Sequence, residues 1–541
     1  MPSSSADPTE PTILADLRKV WRDVAAAMLC VVVALSVRSQ AADHRLTTDE
    51  IWHLTISTGL GNQRRWPPDE LQMNRPSLTS LDTAAPPLSV WAPMKNVLHP
   101  PLYTFSLRWW REIFGGGDWT AAMYSTAWSI VAILFVFAAV RQQTGLGLTT
   151  CVGLAMALSP AQVHLGTEVR GYAMLMGLSA MGVWQMVRIE EGGATFRRVW
   201  LLGLTLCPLL LTHYFAIGGC AAVGAWGLLR LRGPMRWHLL ASIAVAAAGF
   251  VVLWLPQAVS QIKDMEAGDG FLKTGLPFWR HSLPSGFAIP LRLFVSARTR
   301  WAIAVSIGLV SVTVAGVWRR PALLPWLLML VMPIGTLLVL DALRGTQHTW
   351  FVRYAAAAAV AIPAAPVLAA ASLRPTAGWG LGLGFVALTA AGLGVSRDVG
   401  SPTFHHMTDA FLPVIARERP DTPLVAFSPP GRPHDYYANS MLVEWSHVAG
   451  FFPRPTMRLV EPTPADVQRL RDAAHGGRVW LVTSGEIADG ANMPPWLHSL
   501  LPTARLLQPP LAIPAGGEPI TPQPPVELWL LELGPPAAEQ P

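Results

Sequence analysis

Along this chain, long uncharged apolar runs alternate with short polar connections, the pattern of helices that cross a lipid bilayer. About eleven such runs are predicted as spans. They cover Val24 to Val37, Trp119 to Val140, Leu146 to Val163, Tyr172 to Val187, Val199 to Leu211, Phe215 to Leu229, Leu239 to Val259, Trp301 to Trp318, Leu323 to Leu340, Tyr354 to Ser372, and Trp379 to Val395. Polar residues collect in two longer connections, Arg38 to Asp118 and Ser260 to Arg300, and in everything after Ser396. The tail changes character. It is Pro-rich, with short apolar runs at Leu424 to Phe427, Val479 to Thr483 and Val526 to Leu533 that read as strands. Helical patterns at Phe404 to Arg417 and Ala465 to Ala474 accompany them, and Pro509 to Pro525 reads as a loop. The expected organisation is a cytoplasmic segment over 1–23, a membrane domain over 24–395 with a first outer loop at 38–118, and a small extracytoplasmic α/β domain over 396–541.

Composition agrees with that pattern. Of 541 residues, 51% are hydrophobic and 14% charged, where soluble proteins carry about 25% charged residues. The net charge of +6 does not imply a nucleic-acid partner, because no Lys/Arg run is interleaved with aromatics. Cys30, Cys151, Cys207 and Cys220 all fall inside apolar runs, so they read as small packing residues and indicate neither a disulfide framework nor a thiolate zinc site. The basic excess sits at span ends. If the spans alternate, Arg18, Lys19, Arg22, Arg141, Arg188, Arg197, Arg198, Arg230, Arg232, Arg236, Arg319, Arg320 and Arg374 share one side. Retention of positive charge makes that side cytoplasmic, and the long loops and the tail then lie outside.

Five polar groups fall on the outer side of this topology. Asp49 and Glu50 open an amphipathic segment just after the first span, where Thr47 or Thr48 can cap it. Such acids either complement a helix dipole or, at the rim of a bilayer, serve as a general base. His99-Pro100-Pro101-Leu102-Tyr103 closes the same loop, followed by Trp109-Trp110-Arg111, whose tryptophans read as interfacial anchors. A very short connection holds Glu168, Arg170 and Tyr172, an acid and a guanidinium at membrane depth that either pair with each other or form a site. His213-Tyr214 occupies the next outer turn, and Arg353-Tyr354 begins the tenth span, preceded by His348, Trp350 and Phe351. Arginine forks suit phosphate oxygens. An acid, two cations and a lipid groove together suit a lipid-linked phosphosugar.

The order of these motifs resembles the GT-C membrane glycosyltransferases, specifically the bacterial family-39-type relatives of protein O-mannosyltransferases and aminoarabinose transferases. The resemblance rests on Asp49-Glu50, on His99 to Tyr103, on Ser159-Pro160 leading to Glu168-Val169-Arg170-Gly171-Tyr172, on His213-Tyr214, and on Arg353-Tyr354. It implies an all-α polytopic bundle whose donor is a polyprenyl-phosphate sugar and whose acceptor is a hydroxyl of a lipid, glycan or protein. It further implies that Asp49 is the base, with Glu50 in support, and that Glu168 orients the acceptor or holds a metal. Arg170 and Arg353, with Tyr172 and His99, would hold the donor phosphate. Tyr103, His213, Tyr214 and Tyr354 would line the substrate pocket. No cofactor is required, and assistance by a divalent cation is left open. Thr167 stands where the family more usually has Gln, and Gly171 where it has a larger residue. Arg111 lacks the downstream acidic signature of oligosaccharyl transferases, which argues against transfer of a whole N-glycan. The rival reading is a transporter or lipid flippase of envelope precursors, favoured by charges within Gly/Pro-interrupted spans. Against it stand the absence of inverted halves and the clustering of charge at one face. A structural anchor for wall partners would have little use for Glu168, Arg170 and Arg353 at membrane depth.

Overall fold

The computed structural model describes residues 10–43, 46–60, 79–91, 94, 99–268, 277–295, 301–393, 411, 413–419, 422–428, 456–460, 464–474, 477–484, 503–513 and 526–533. The chain divides into two compact units. The first comprises Met1–Asp43, His99–Tyr103 and Ala122–Val399; the second comprises His44–Leu98, Thr104–Ala121 and Gly400–Pro541.

Helices make up the first unit: α1 (Glu10–Ala41), most of α4 (Asp118–Gln143), α5 (Leu146–Leu158), α6 (Pro160–Thr167), α7 (Tyr172–Gly192), α8 (Phe196–Thr212), α9 (Ile217–Arg230) and α10 (Pro234–Gly268). They continue with α11 (Ser282–Val295), α12 (Trp301–Arg319), α13 (Leu324–Arg344), α14 (Ala356–Ala359), α15 (Ala364–Leu373) and α16 (Pro375–Leu393). Between them, α2 (Thr48–Ser57) and α3 (Leu102–Phe114) belong wholly or mostly to the second unit. Among the described residues, six helices are long and apolar enough to cross a membrane, or up to eight if each of two bent pairs is one span. Apolar side chains on α1, α10, α12 and α16, including Trp21, Val252, Trp318 and Leu383, stand exposed, as lipid-facing surface requires. The chain is a polytopic membrane protein.

Fewer helices among the described residues meet this length and hydropathy test than the about eleven runs expected, although every predicted run is helical for most of its length. The segments that fall short are α7, α8 and α9. Interior position explains α7: it is buried along nearly its whole length and carries Gln185 and Arg188, since a helix sheathed by other helices need not match lipid. The other two are only 17 and 14 residues long. The stretch Ser260 to Arg300, read as a loop, contains the end of α10 and the buried helix α11. Pro290 and Arg292 interrupt the apolar pattern of α11 and hid it from the sequence.

Small residues set the helix spacing. A Cβ on Gly316 would lie 2.5 Å from the Ala369 Cα, and one on Gly218 2.4 Å from the Pro333 Cα, so α12 meets α15 and α9 meets α13 backbone to backbone. Two spans are broken. The α5–α6 pair bends by 60° at Ser159-Pro160, and Val352–Ala359 with Ala364–Leu373 bends by 46°. Pro160 has no N–H to give, which ends the α5 hydrogen-bond ladder there.

In the second unit, α2 is closed by a capping box. The Thr47 hydroxyl accepts from the Glu50 N–H at 3.4 Å, and Glu50 Oε2 accepts from the Thr47 N–H at 2.8 Å. Arg108 and Arg111 of α3 are buried struts. Arg111 donates to the Leu54 carbonyl (3.2 Å), Ser57 Oγ (2.7 Å), the Thr79 carbonyl (2.6 Å) and the Gly116 carbonyl (3.1 Å), tying α2, α3 and the intervening loop. Burial pushes its guanidinium down to about 10, still cationic at neutral pH. Arg111→Met removes all four of these hydrogen bonds from a buried junction and is expected to cost on the order of 3 kcal/mol or more in local stability. Hydrogen exchange of the α2 amides checks it; unchanged protection would contradict this strut.

The tail of this unit forms a sheet in the order β2-β1-β3-β6-β4, with β5 also on β6. The strands are β1 (Leu424–Ser428), β2 (Thr456–Val460), β3 (Arg478–Ser484), β4 (Arg505–Leu506), β5 (Leu511–Ile513) and β6 (Val526–Glu532). The first three are mutually parallel and β6 runs antiparallel to β3, β4 and β5. Alternation in β3 and β6 puts Val479, Leu481, Trp529 and Leu531 against Val467 and Leu470 of α17 (Pro464–Ala473), the expected small α/β domain. Of the region read as a loop, Leu511–Ile513 is a strand. The helical pattern at Phe404 to Arg417 lies mostly outside the described residues.

Candidate functional site

The helix breaks of the first unit collect its polar side chains. After α6, the Arg170 N–H donates to the Glu168 carbonyl at 2.7 Å, a tight turn that turns both side chains inward. Both are buried, and Arg170 Nη1 meets Glu168 Oε1 at 3.2 Å. The Arg170 guanidinium lies 5.0 Å from the centre of the Tyr172 ring. Gly171 lets this turn close on the end of α8: a Cβ there would stand 3.3 Å from the Thr212 carbonyl oxygen.

That end of α8 presents His213. Its Nδ1 accepts from the Phe215 N–H at 3.2 Å, so the proton resides on Nε2 in the neutral ring. Burial, and then His99, Arg170 and Arg353, hold the imidazole well below the usual 6.5, so it is neutral at physiological pH. Ring centres of Tyr172, Phe215, His99 and Tyr354 lie 5.2, 5.4, 5.5 and 6.5 Å from that of His213. Tyr354 stacks on Phe215 at 4.4 Å, and the Arg353 guanidinium sits over Phe351 and Tyr354 at 5.2 and 5.8 Å. Arg353 is within electrostatic reach of Arg170, Tyr172 and Glu168.

The turn before Arg353 is pinned by a buried carboxylate. Asp341, near the end of α13, accepts from the backbone of His348 (2.6 Å) and Thr349 (3.0 Å), from His348 Nδ1 (3.0 Å), and from the hydroxyls of Thr346 (3.0 Å) and Thr349 (2.8 Å). Gly345, at φ +65°, supplies the left-handed residue that ends α13 and allows the chain to fold back on that carboxylate.

Two guanidiniums, Arg170 and Arg353, thus share this interior with Glu168, while the Asp341 carboxylate is taken up by its own turn. Among the described residues, no carboxylate lies within ion-pair distance of Arg353. Glu168 Oε2, Tyr172 Oη, His213 Nε2 and Arg353 Nε are all buried without a hydrogen-bond partner there. Folded proteins rarely leave several such atoms side by side, because each costs the desolvation of a polar group. Three of the four are donors. The arrangement is complementary to an anion, with Glu168 Oε2 as the one acceptor. Among the described residues no three His, Cys, Asp or Glu side chains are placed to share a metal ion.

Of the residues singled out from sequence, Glu168, Arg170, Tyr172, His99, His213, Arg353 and Tyr354 come together in the first unit. Others have different places. Tyr214 turns its hydroxyl to Gln261, to which it donates, and accepts from Trp254 Nε1 at 3.0 Å, so its polar end belongs to the packing against α10. Phe215 faces the site instead, because successive residues of the short 3-10 turn point in different directions. Tyr103 borders the turn, its Cβ 3.6 Å from where a Cβ on Gly171 would stand, while its hydroxyl is engaged with Ser125 Oγ at 2.8 Å and its ring packs on Tyr124. Glu50 caps α2, and Asp49, half-buried, lies in the first turn of that helix in the second unit. Sequence reasoning missed Asp341, although a lone acid inside an apolar span is itself a signal, and it missed Phe215.

No family model matches the chain, and no curated protein matches it. Among solved structures it is similar to ArnT from Cupriavidus metallidurans bound to undecaprenyl phosphate, at 15% identity and a TM-score of 0.49, covering 93% of this chain and 97% of that one. It is also similar to the oligosaccharyltransferase AglB from Archaeoglobus fulgidus in complex with an inhibitory peptide and a dolichol-phosphate (10% identity, TM-score 0.42, 86% and 70% of the two chains). A third is the S. cerevisiae protein O-mannosyltransferase complex bound to the sugar donor (13% identity, TM-score 0.28, 47% and 35%).

Proposed function

We propose that the chain is a membrane glycosyltransferase of the GT-C kind, moving a sugar from a polyprenyl-phosphate donor to a hydroxyl of a lipid, glycan or protein. The observation that carries this reading is the buried Arg170 and the half-buried Arg353 beside the carboxylate of Glu168, with the donors Tyr172 Oη, His213 Nε2 and Arg353 Nε left without a hydrogen-bond partner among the described residues. Such a cluster accommodates one phosphate, and the apolar walls of a bilayer bundle accommodate its lipid. The order of sequence motifs supports the same assignment.

The reaction is an inverting single displacement. The acceptor oxygen attacks the anomeric carbon, its proton passes to Asp49, and the bond from that carbon to the phosphate oxygen breaks with its electron pair going to the lipid phosphate. Negative charge grows on the departing phosphate. Arg170 and Arg353 lower the barrier by meeting that charge with donors already in place, an effect of about 3 kcal/mol per well-placed group in a water-poor site. The neutral His213 contributes its Nε2–H without adding charge, and Glu168 holds Arg170 in line while leaving Oε2 for an acceptor hydroxyl or a cation.

The α7 helix carries Tyr172 at its start and, at its far end, the pairs Arg230 with Glu190 and Arg320 with Glu191. Retention of basic residues on the cytoplasmic face supports a site on the outer face, which in a bacterium is the periplasmic side of the inner membrane. Broken spans around an anion site also suit a carrier of lipid-linked precursors. Proteoliposomes holding the purified full chain and a labelled polyprenyl-phosphate sugar separate the two. Label appearing in a new glycoside, with glycolipids or surface polysaccharide of a deletion strain lacking one sugar, supports transfer. Donor crossing the bilayer unreacted would replace it with the carrier reading.

A further inference from the structure

Arg38 is the most thoroughly enclosed cation of the first unit, with none of its surface exposed, and no acidic side chain pairs with it among the described residues. Its guanidinium is spent on neutral acceptors: Nε donates to Ser129 Oγ at 2.9 Å, Nη1 to the Ala157 carbonyl at 2.8 Å and Nη2 to the Met156 carbonyl at 3.3 Å. Those two carbonyls lie at the end of α5, where the chain bends by 60° into α6. In an unbroken helix Met156 would receive the N–H of residue 160, and Pro160 has none. One fork of donors from α1 replaces the bonds that the break removes.

The other arm of the break rests on the same group. At Gly166 a Cβ would stand 2.7 Å from Ser129 Oγ and 3.0 Å from Arg38 Nε, so the last turn of α6 reaches its place only because this residue has no side chain. Thr126 Oγ1, one turn away on α4, donates to the Gly166 carbonyl at 3.4 Å. Glu168 follows two residues later, and Arg170 four.

We infer that Arg38 is a positioning residue for the Glu168–Arg170 turn: it holds the open end of α5 and, with Ser129, forms the seat on which Gly166 sets the acid and the guanidinium. The consequence for turnover rests on the transferase reading above; the consequence for the geometry of the turn does not. A buried charge is retained here for its three-pronged donor geometry, which neither lysine nor a neutral amide reproduces.

Two variants approach the seat from opposite sides. Arg38→Met removes the donors, and Gly166→Ala adds a methyl group. Hydrogen exchange of both in the full-length protein is expected to show amides 167–171 exchanging about tenfold faster or more than in wild type, with the middle of α13 unchanged. In the proteoliposome assay, kcat is expected to fall about 10- to 100-fold while donor KM stays within about threefold, because a displaced acid and arginine lose alignment more than affinity. Arg38→Lys should recover part of the rate. If exchange at 167–171 matches wild type in both variants, or loss of protection spreads evenly over the bundle, the positioning role is overturned. If wild type itself transfers no sugar, the transferase reading fails, and the exchange result alone still decides whether Arg38 seats the turn.

Discussion

Arg353→Ala is expected to lower kcat/KM for sugar transfer by about 100- to 1,000-fold, equivalent to about 3 to 4 kcal/mol of transition-state stabilisation. Arg353 tests the anion site more cleanly than its neighbour. Arg170 is paired with Glu168 at 3.2 Å, so removing it also unpairs a buried carboxylate. Arg353 has aromatic faces around it and, among the described residues, no carboxylate within ion-pair distance, so its removal leaves no directly paired acid behind, relieves like-charge repulsion with Arg170 and should not harm the fold. Arg353→Lys keeps the charge but not the planar fork or the stacking, and should retain an intermediate rate, about tenfold below wild type. Initial rates with labelled donor, read beside thermal unfolding of each variant, give the comparison. A rate for Arg353→Ala within threefold of wild type, in protein as stable as wild type, would remove the phosphate role.

Much of the frame is visible in the sequence because lipid imposes a one-dimensional rule: a run of apolar residues of sufficient length must be helical. That rule fails where helices shelter one another. The α7 segment is sheltered by other helices along most of its length, and α11 escapes the pattern because its proline and arginine break a periodicity that burial against neighbours does not require. Bends are equally hard to read. Ser159-Pro160 marks the α5–α6 break, yet nothing local says that Arg38, over a hundred residues away, completes it. The polar site was legible to the extent that its members are expensive at membrane depth, as with Glu168, Arg170 and Arg353. Side-chain direction was not: in His213-Tyr214-Phe215 the tyrosine looked like the pocket residue and the phenylalanine occupies that place. Glu50 was ambiguous for another reason, since an acid three residues after a threonine serves a capping box as readily as a reaction.

Asp49→Asn and Glu168→Gln should divide the two carboxylate roles between them. Asp49 sits in the first turn of α2, where the cap is made by Thr47 and Glu50, so an asparagine there leaves the capping box intact while removing the carboxylate charge and its proton-accepting oxygen. Its kcat is expected to fall about 100- to 10,000-fold, with binding of polyprenyl phosphate unchanged. Glu168 differs in kind. One of its oxygens is committed to Arg170, so Glu168→Gln weakens the grip on a phosphate-binding group as well as on the acceptor. Donor KM should therefore rise together with a lower kcat, and the loss should deepen little when Arg170 is also replaced, because the pair acts as one unit. Steady-state rates at varied donor, with polyprenyl phosphate binding measured on the same preparations, distinguish these patterns. Should Asp49→Asn turn over normally while Glu168→Gln loses kcat alone, the base is Glu168, held in place by Arg170, and the oxygen it leaves without a partner at Oε2 is the atom that takes the proton.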